Sequence, residues 1–158
     1  MRIAVLSDTH ASRLEDLPSR LLDALAGADM VLHLGDYTGM DVVDGLRQLY
    51  RCEGVHGNMD SADVKLALPE QRVIVVEGKR IGMVHGWGAP LGLEAKVRAR
   101  FSDVDVVLYG HTHRPSNRTV GDVLVFNPGS AAGRFPALYA SYGILTVDET
   151  VRGEIVRM

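Results

Sequence analysis

Five short stretches of this 158-residue chain gather side chains able to hold a metal ion: Asp8-Thr9-His10, Gly35-Asp36, Gly57-Asn58-Met59-Asp60, His85-Gly86 and Gly110-His111-Thr112-His113. Carboxylate, imidazole and one carboxamide form a borderline ligand set, suited to manganese, iron, zinc or nickel rather than to the all-oxygen sites of calcium and magnesium. In extended chain, residues two apart project to the same side, so Asp8 with His10, and His111 with His113, are expected to converge on a cation. Taken singly, each piece has a plainer reading. Asp8 and Asp36 fit helix caps or turn formers, and His85 fits a satisfied core histidine. Five such clusters on one sheet edge are better explained by convergence. His33 and His56 are read as structural, and Cys52 as a small buried apolar residue, since no base sits at a recognisable spacing from it.

Short β-branched runs must position these groups. They recur at 2–7, 29–34, 54–56, 72–77, 80–85, 104–109, 123–127 and 142–147. Helical spacing separates the first three, over Leu14 to Leu25 and Met40 to Tyr50, and returns over Leu91 to Phe101, where Leu93, Val97 and Phe101 share one face. The opening therefore reads βαβαβ, and its first strand is apolar at nearly every position, as in a parallel strand covered on both faces. Glu77-Gly78-Lys79 and Val120-Gly121-Asp122 read as hairpin turns. The pattern predicts a mixed α/β layered fold. In open α/β sheets ligands bind outside the carboxyl ends of strands, which is where the five clusters fall.

Composition narrows the function. With 46% hydrophobic and 23% charged residues the chain can bury one core, and it is read as a single domain over 1–158. Seventeen Lys and Arg against twenty Asp and Glu give a net charge of −3, which argues against long duplex nucleic acid as a partner. No apolar run suits a signal peptide or a spanning helix, and Cys52 is the single cysteine. No membrane partner and a cytoplasmic location are expected.

As an ordered set, the five clusters resemble those of the calcineurin-like metallophosphoesterases, specifically the small YfcE-type phosphodiesterases, and Asn127-Pro128-Gly129-Ser130 is similar to a later strand-end signature of that family. The resemblance runs the whole length. It implies a four-layer αββα sandwich of two mixed β-sheets with a dinuclear centre at the strand ends. Carried over by position, Asp8, His10 and His113 would hold one divalent transition-metal ion and Asn58, His85 and His111 the other. Asp36 would bridge them, and Asp36, Asn58 and His85 would also serve catalysis. Manganese is the expected occupant, with iron, zinc or nickel as alternatives. Such a pair lowers the pKa of a bridging water, so the implied reaction is phosphodiester hydrolysis by a metal-bridging hydroxide. Four charges from the ions, less Asp8, Asp36 and hydroxide, leave about +1, which a small phosphodiester monoanion would neutralise.

Two departures from the family bear on turnover. Many larger relatives carry histidine after the Gly-Asn pair, where this chain has Met59, and close relatives often read His-Gly-His where it has His85-Gly86-Trp87. Neither replacement can protonate a leaving oxygen. Trp87 could stack on a base, though a packed lip residue is the plainer reading, and Arg13 and Arg114 are candidates to steady the phosphate. The alternative to an enzyme is a metal-binding scaffold of the same fold, as in the retromer scaffold subunit, whose ligand set has eroded. Here all seven ligand types are present. The resemblance also implies a small homo-oligomer.

Overall fold

The computed structural model describes all 158 residues. Its ten strands are β1 (Arg2–Leu6), β2 (Met30–His33), β3 (Cys52–Gly54), β4 (Gln71–Val76), β5 (Lys79–Val84), β6 (Val106–Leu108), β7 (Ser116–Val120), β8 (Val123–Asn127), β9 (Ser141–Val147) and β10 (Val151–Arg157). The helices are α1 (Ser19–Leu25), α2 (Met40–Leu49), α3 (Ala62–Ala67) and α4 (Leu93–Ala99). None is long and apolar enough to cross a membrane.

Period-two alternation sorts the strands into layers. Along β1, Ile3 and Val5 face one way and Ala4 and Leu6 the other, all fully buried. Parallel β1, β2 and β3 join antiparallel β9 and β10 in a sheet of order β10-β9-β1-β2-β3. The second sheet runs β4-β5-β6-β8-β7, parallel at its centre and antiparallel at both edges. Ile3, Val5 and Leu32 of the first sheet meet Ile81, Leu108 and Phe126 of the second in a central core. Ala4, Leu6 and Val31 face outward onto Leu21 and Leu25 of α1 and Val42 and Leu46 of α2. Val107 and Val125 face the opposite way, onto Leu93 and Val97 of α4. Three apolar interfaces separate four layers, so the architecture is the αββα sandwich of two mixed sheets.

Several local expectations shift. The segment expected as one helix from Leu14 to Leu25 is a 3-10 turn at Leu14–Asp16 followed by α1. Pro18 divides them, because it lacks an N–H and holds Leu17 in extended backbone, at φ −72° and ψ 139°. Helix α4 is shorter than Leu91–Phe101 at both ends, starting after left-handed Gly92. Strand β3 lies two residues earlier than expected, since its register pairs Val31 with Cys52. Both hairpin turns are present, between β4 and β5 and between β7 and β8. Three elements carry too little apolar signal to be read: α3 buries only Val64, β7 is the largely polar Ser-Asn-Arg-Thr-Val, and β10 interleaves Arg and Glu with its apolar positions.

Phe126 fills the space between the sheets against two glycines. A Cβ on Gly143 of β9 or Gly153 of β10 would overlap its ring. Gly143→Ala is therefore expected to destabilise the fold by about 1–3 kcal/mol through overpacking. In a Phe126→Leu background the same change is expected to cost less, a coupling that urea unfolding of the double-mutant cycle will read.

Candidate metal centre

The loops that leave the strands are zipped to one another before any ligand is considered. Beyond the β1–β2 ladder, Asp8 N–H donates to the Gly35 carbonyl at 3.0 Å and His10 N–H to that of Asp36 at 2.9 Å. In the second sheet Gly110 N–H donates to His85 at 2.9 Å. The two sheets then meet through side chains. His85 Nδ1–H donates to the Leu34 carbonyl at 2.7 Å, and His111 N–H donates to Asp8 Oδ2 at 3.1 Å.

All seven expected ligands come to this edge, and the distances divide them. Asp8 Oδ1 lies 3.1 Å from His113 Nε2, 3.9 Å from His10 Nε2 and 3.9 Å from His85 Nε2. Asp36 Oδ2 lies 3.4 Å from His85 Nε2. His111 Nδ1 faces Asn58 Oδ1 at 3.0 Å. Two three-residue groups result, Asp8–His10–His113 and Asp8–Asp36–His85, each with its ligand atoms within 4.8 Å of one another. Their common atom is Asp8 Oδ1, where the resemblance gives the shared place to Asp36.

The backbone reaches this arrangement differently from the extended i, i+2 geometry expected. Asp8, His10, Asp36, His111 and His113 all have positive φ, between 46° and 67°. Left-handed backbone costs a non-glycine residue about 1 kcal/mol or more, so five ligands are aimed by strained turns rather than by continuing strands.

Hydrogen bonds also fix which ring nitrogens face inward. His85 donates to Leu34, His113 Nδ1–H donates to the Arg134 carbonyl at 3.0 Å, and His111 Nε2–H donates to that of Gly88 at 2.8 Å. A neutral ring so bound presents the lone pair of its other nitrogen to the cluster, as metal-ligating histidines do. His113 Nε2 also lies 3.1 Å from His10 Nε2, and the acceptor nitrogen His111 Nδ1 meets the Asn58 carbonyl oxygen at 3.0 Å. Two buried atoms, Asp8 Oδ1 and His85 Nε2, have no hydrogen-bond partner at all. Buried polar atoms are rarely left so. A divalent cation between them would satisfy both, and the donor set fits it.

The carboxylates and imidazoles also shift one another's ionisation. Burial opposes ionisation of Asp8, but the close His113 imidazole, the charge of His85 and the Ser7 hydroxyl hold its carboxyl below the ordinary range. Burial likewise opposes Asp36, whose contact with His85 outweighs it. His85 is raised despite burial by Asp36 and Asp8, and His113 is raised chiefly by Asp8. His10 is lowered by burial, against the pull of both carboxylates and with a smaller contribution from the Arg134 charge.

Several supporting residues carried no assigned role in the sequence. Asp60, almost fully buried, accepts N–H bonds from Asp36 at 3.0 Å, Thr38 at 2.9 Å and Gly57 at 2.6 Å, which clamps the β2 and β3 loops together. Gly57 is required there, since a Cβ would overlap Asp36 Oδ1. Ser7 donates to Asp8 Oδ2 at 2.6 Å and Ser130 Oγ to the Asp8 carbonyl at 2.9 Å. Asn127 Nδ2 donates to Gly110 and Thr112, so the Asn-Pro-Gly-Ser stretch fastens two ligand loops. His33 is structural as expected. It is fully buried, stacks on Tyr37 with centroids 3.7 Å apart, and burial pushes its imidazole down to about 3. His56 lines a cleft with Asn58, Lys65, His85 and Trp87.

The expected phosphate arginines are placed elsewhere. Arg13 pairs with Glu15 at 2.8 Å, and Arg114 lines a groove with His113, Pro115 and Leu138 that holds none of the other ligands. Arg134 instead lines the cleft containing five of the seven. Trp87 is partly covered by the Arg100 guanidinium, 5.1 Å from its ring centre, as suits a lip residue. Cys52 is half-buried rather than buried as expected, and desolvation pushes its thiol up to about 12, which suits an inert side chain.

Known proteins are similar in sequence and in fold. A probable metallophosphoesterase of Methanothermobacter thermautotrophicus is 35% identical over 162 residues, covering 99% of this chain and 92% of the relative. The phosphodiesterase MJ0936 of Methanocaldococcus jannaschii is 28% identical, covering 99% of each. Among solved structures, wild-type Vps29 of Entamoeba histolytica complexed with zinc superposes with a TM-score of 0.74 at 30% identity, covering 99% of both chains. Residues 1–150 match the profile of the calcineurin-like phosphoesterase superfamily domain, and the chain belongs to that superfamily.

Proposed function

We propose that this chain is a metal-dependent phosphodiesterase acting on small phosphodiesters through a dinuclear centre. Asp8, His10 and His113 would hold one ion and Asn58, His85 and His111 the other, with Asp36 between them. The observation that carries this reading is the pair of buried, partnerless atoms Asp8 Oδ1 and His85 Nε2, 3.9 Å apart amid lone pairs from both sheets. Bound divalent cations would acidify a water and stabilise charge on both sides of an in-line displacement at phosphorus. The protein's own part is to aim the ligands: carbonyls of Leu34, Gly88 and Arg134 hold three imidazoles, and Met59 N–H holds Asp36 Oδ1 at 2.8 Å. The second reading is a metal-binding scaffold without turnover, and the likeness to a Vps29 complexed with zinc fits its metal-binding part. Hydrolysis of bis-p-nitrophenyl phosphate with added manganese separates the two. Elemental analysis is expected to give about two ions per chain, and Asp36→Asn to lower turnover at least ~100-fold. Equal signals from wild type and variant would establish the scaffold instead.

Proton supply to the leaving oxygen is the weak point of the site. Met59 is 60% exposed beside Asn58, and neither it nor Trp87 has a proton to give. A positioned acid is worth ~10²–10⁴ in rate, so turnover is expected to depend steeply on the leaving group, with aryl diesters cleaved at least ~100-fold faster than alkyl ones. Similar rates across that series would refute the argument.

Asp60 makes a separate expectation. Replacing it with alanine leaves three amide donors without their carboxylate, and a loss of about 3 kcal/mol is expected in urea unfolding. Weaker metal retention during dialysis should accompany it, because the clamped loops carry Asp36 and Asn58.

A further inference from the structure

The cleft of ≈350 Å³ over the ligands is lined, besides five of them, by Arg134, Phe135 and Met59, which have no part in holding a metal. Phe135 is 93% exposed and Met59 60%, two large apolar side chains held in water at the rim of a polar cluster. The Arg134 backbone is fixed against the ligands, since its carbonyl receives the His113 Nδ1–H bond. Its guanidinium, by contrast, is exposed and has no ion pair. Of the other cations around the strand ends, Arg13 pairs with Glu15, Arg100 with Glu70 at 3.2 Å and Lys65 Nζ with the Asn58 carbonyl at 2.9 Å, while Arg114 lines a different groove, beside Leu138 and Tyr139. A free, planar guanidinium matches the non-bridging oxygens of a phosphodiester, and an exposed ring one residue further on matches a flat apolar substituent on the same phosphorus.

Building on the phosphodiesterase reading, we infer that Arg134 and Phe135 form the seat for the non-leaving half of the substrate: Arg134 takes a phosphoryl oxygen, and Phe135, in the same cleft as Met59, takes an aromatic ester arm such as a nucleobase or aryl ring. The preferred substrate class is then a phosphodiester with an aromatic group on the arm that stays. Arg134 raises affinity for any diester, whereas Phe135 discriminates among them.

Two substrates with the same leaving group isolate the seat. Bis-p-nitrophenyl phosphate and methyl p-nitrophenyl phosphate both release p-nitrophenolate and differ only in the arm that remains. Wild type is expected to favour the diaryl ester in kcat/KM beyond the ratio of the two rates in manganese solution without protein. Phe135→Ala should lower that preference about tenfold, the scale of one aromatic stacking contact. Arg134→Ala should raise KM about tenfold or more for both esters while leaving the preference in place, with partial rescue by Arg134→Lys. Leu138→Ala, exposed on the same loop but outside the cleft, serves as the control for loop damage. An unchanged preference in Phe135→Ala, or an unchanged KM in Arg134→Ala, overturns the inference while leaving the phosphodiesterase reading intact. Binding to the metal-free chain gives a readout independent of turnover. Diphenyl phosphate is expected to shift the NMR signals of the Phe135 ring and of Arg134 Nε–H, and dimethyl phosphate the second alone. If no ester is hydrolysed with any metal, the functional reading fails, and these shifts still decide the seat: their presence supports it and their absence overturns it.

Discussion

The structure is organised around a buried cluster of ionisable groups. Asp8 Oδ1, Asp36 Oδ2 and the ring nitrogens of His10, His85 and His113 crowd together, with Asp8 and His85 almost wholly out of water. Burial opposes the charged form of every member. Desolvating an ionised carboxylate costs several kcal/mol unless something compensates it. For Asp8 the compensation is divided by oxygen: Oδ2 accepts from the Ser7 hydroxyl and the His111 amide, and Oδ1 alone is turned toward the histidines. The carboxylate is anchored at one end and offered at the other.

Assembly is forced by scaffolding that lies outside the ligand set. Parallel pairing of β1 with β2 brings Asp8 and Asp36 onto neighbouring loops, and Asp60 ties the second of these to the loop after β3. On the opposite sheet, Asn127 holds the loop that carries His111 and His113. Strained backbone at five ligands is tolerable because each of these loops is bonded to a neighbour, so relaxing one turn would break contacts in another.

That division explains what the sequence disclosed. Ligand types survive in any reading because five strand ends bearing Asp, Asn or His in one chain exceed what caps and turns require, and β1 declares itself through its uninterrupted apolar run. Layering was legible only in part: the unbroken apolar run Ile3 to Leu6 implied cover on both faces, whereas the four-layer order followed from the family resemblance. What could not be read was conformational. Nothing in Asp8-Thr9-His10 announces two left-handed residues, and an extended reading gave the right convergence for the wrong geometric reason. Pro18 did carry a signal, and its effect on Leu17 outweighed the helical spacing around it. Elements at the sheet edges were lost because edge strands trade apolar residues for charge, as β7 and β10 do. Arg134 and Phe135 were invisible for another reason. Their proximity to the ligands depends on where the Ala131–Ala140 segment crosses the strand ends, which residue types alone do not encode.

One consequence concerns stability as much as chemistry. The candidate ligands are split between the sheets: Asp8, His10, Asp36 and Asn58 follow strands of the first, and His85, His111 and His113 those of the second. Between the sheets the central contact is otherwise apolar and non-directional, centred on Phe126 and its neighbours. Side-chain links at the site edge are few, with His85 to Leu34 and His111 to Asp8 prominent among them. A cation coordinated by Asp8 together with His113, or by His85 together with Asp36, is therefore a cross-link between the halves of the sandwich. By mass action such a ligand stabilises the folded chain by about 2.7 kcal/mol at a hundredfold excess over its dissociation constant. The same geometry makes the metal site sensitive to how the sheets pack, because a shift of one sheet against the other moves three ligands relative to four. Packing around Phe126 and coordination at the strand ends thus constrain one relative position of the two sheets, the first by exclusion and the second by attraction.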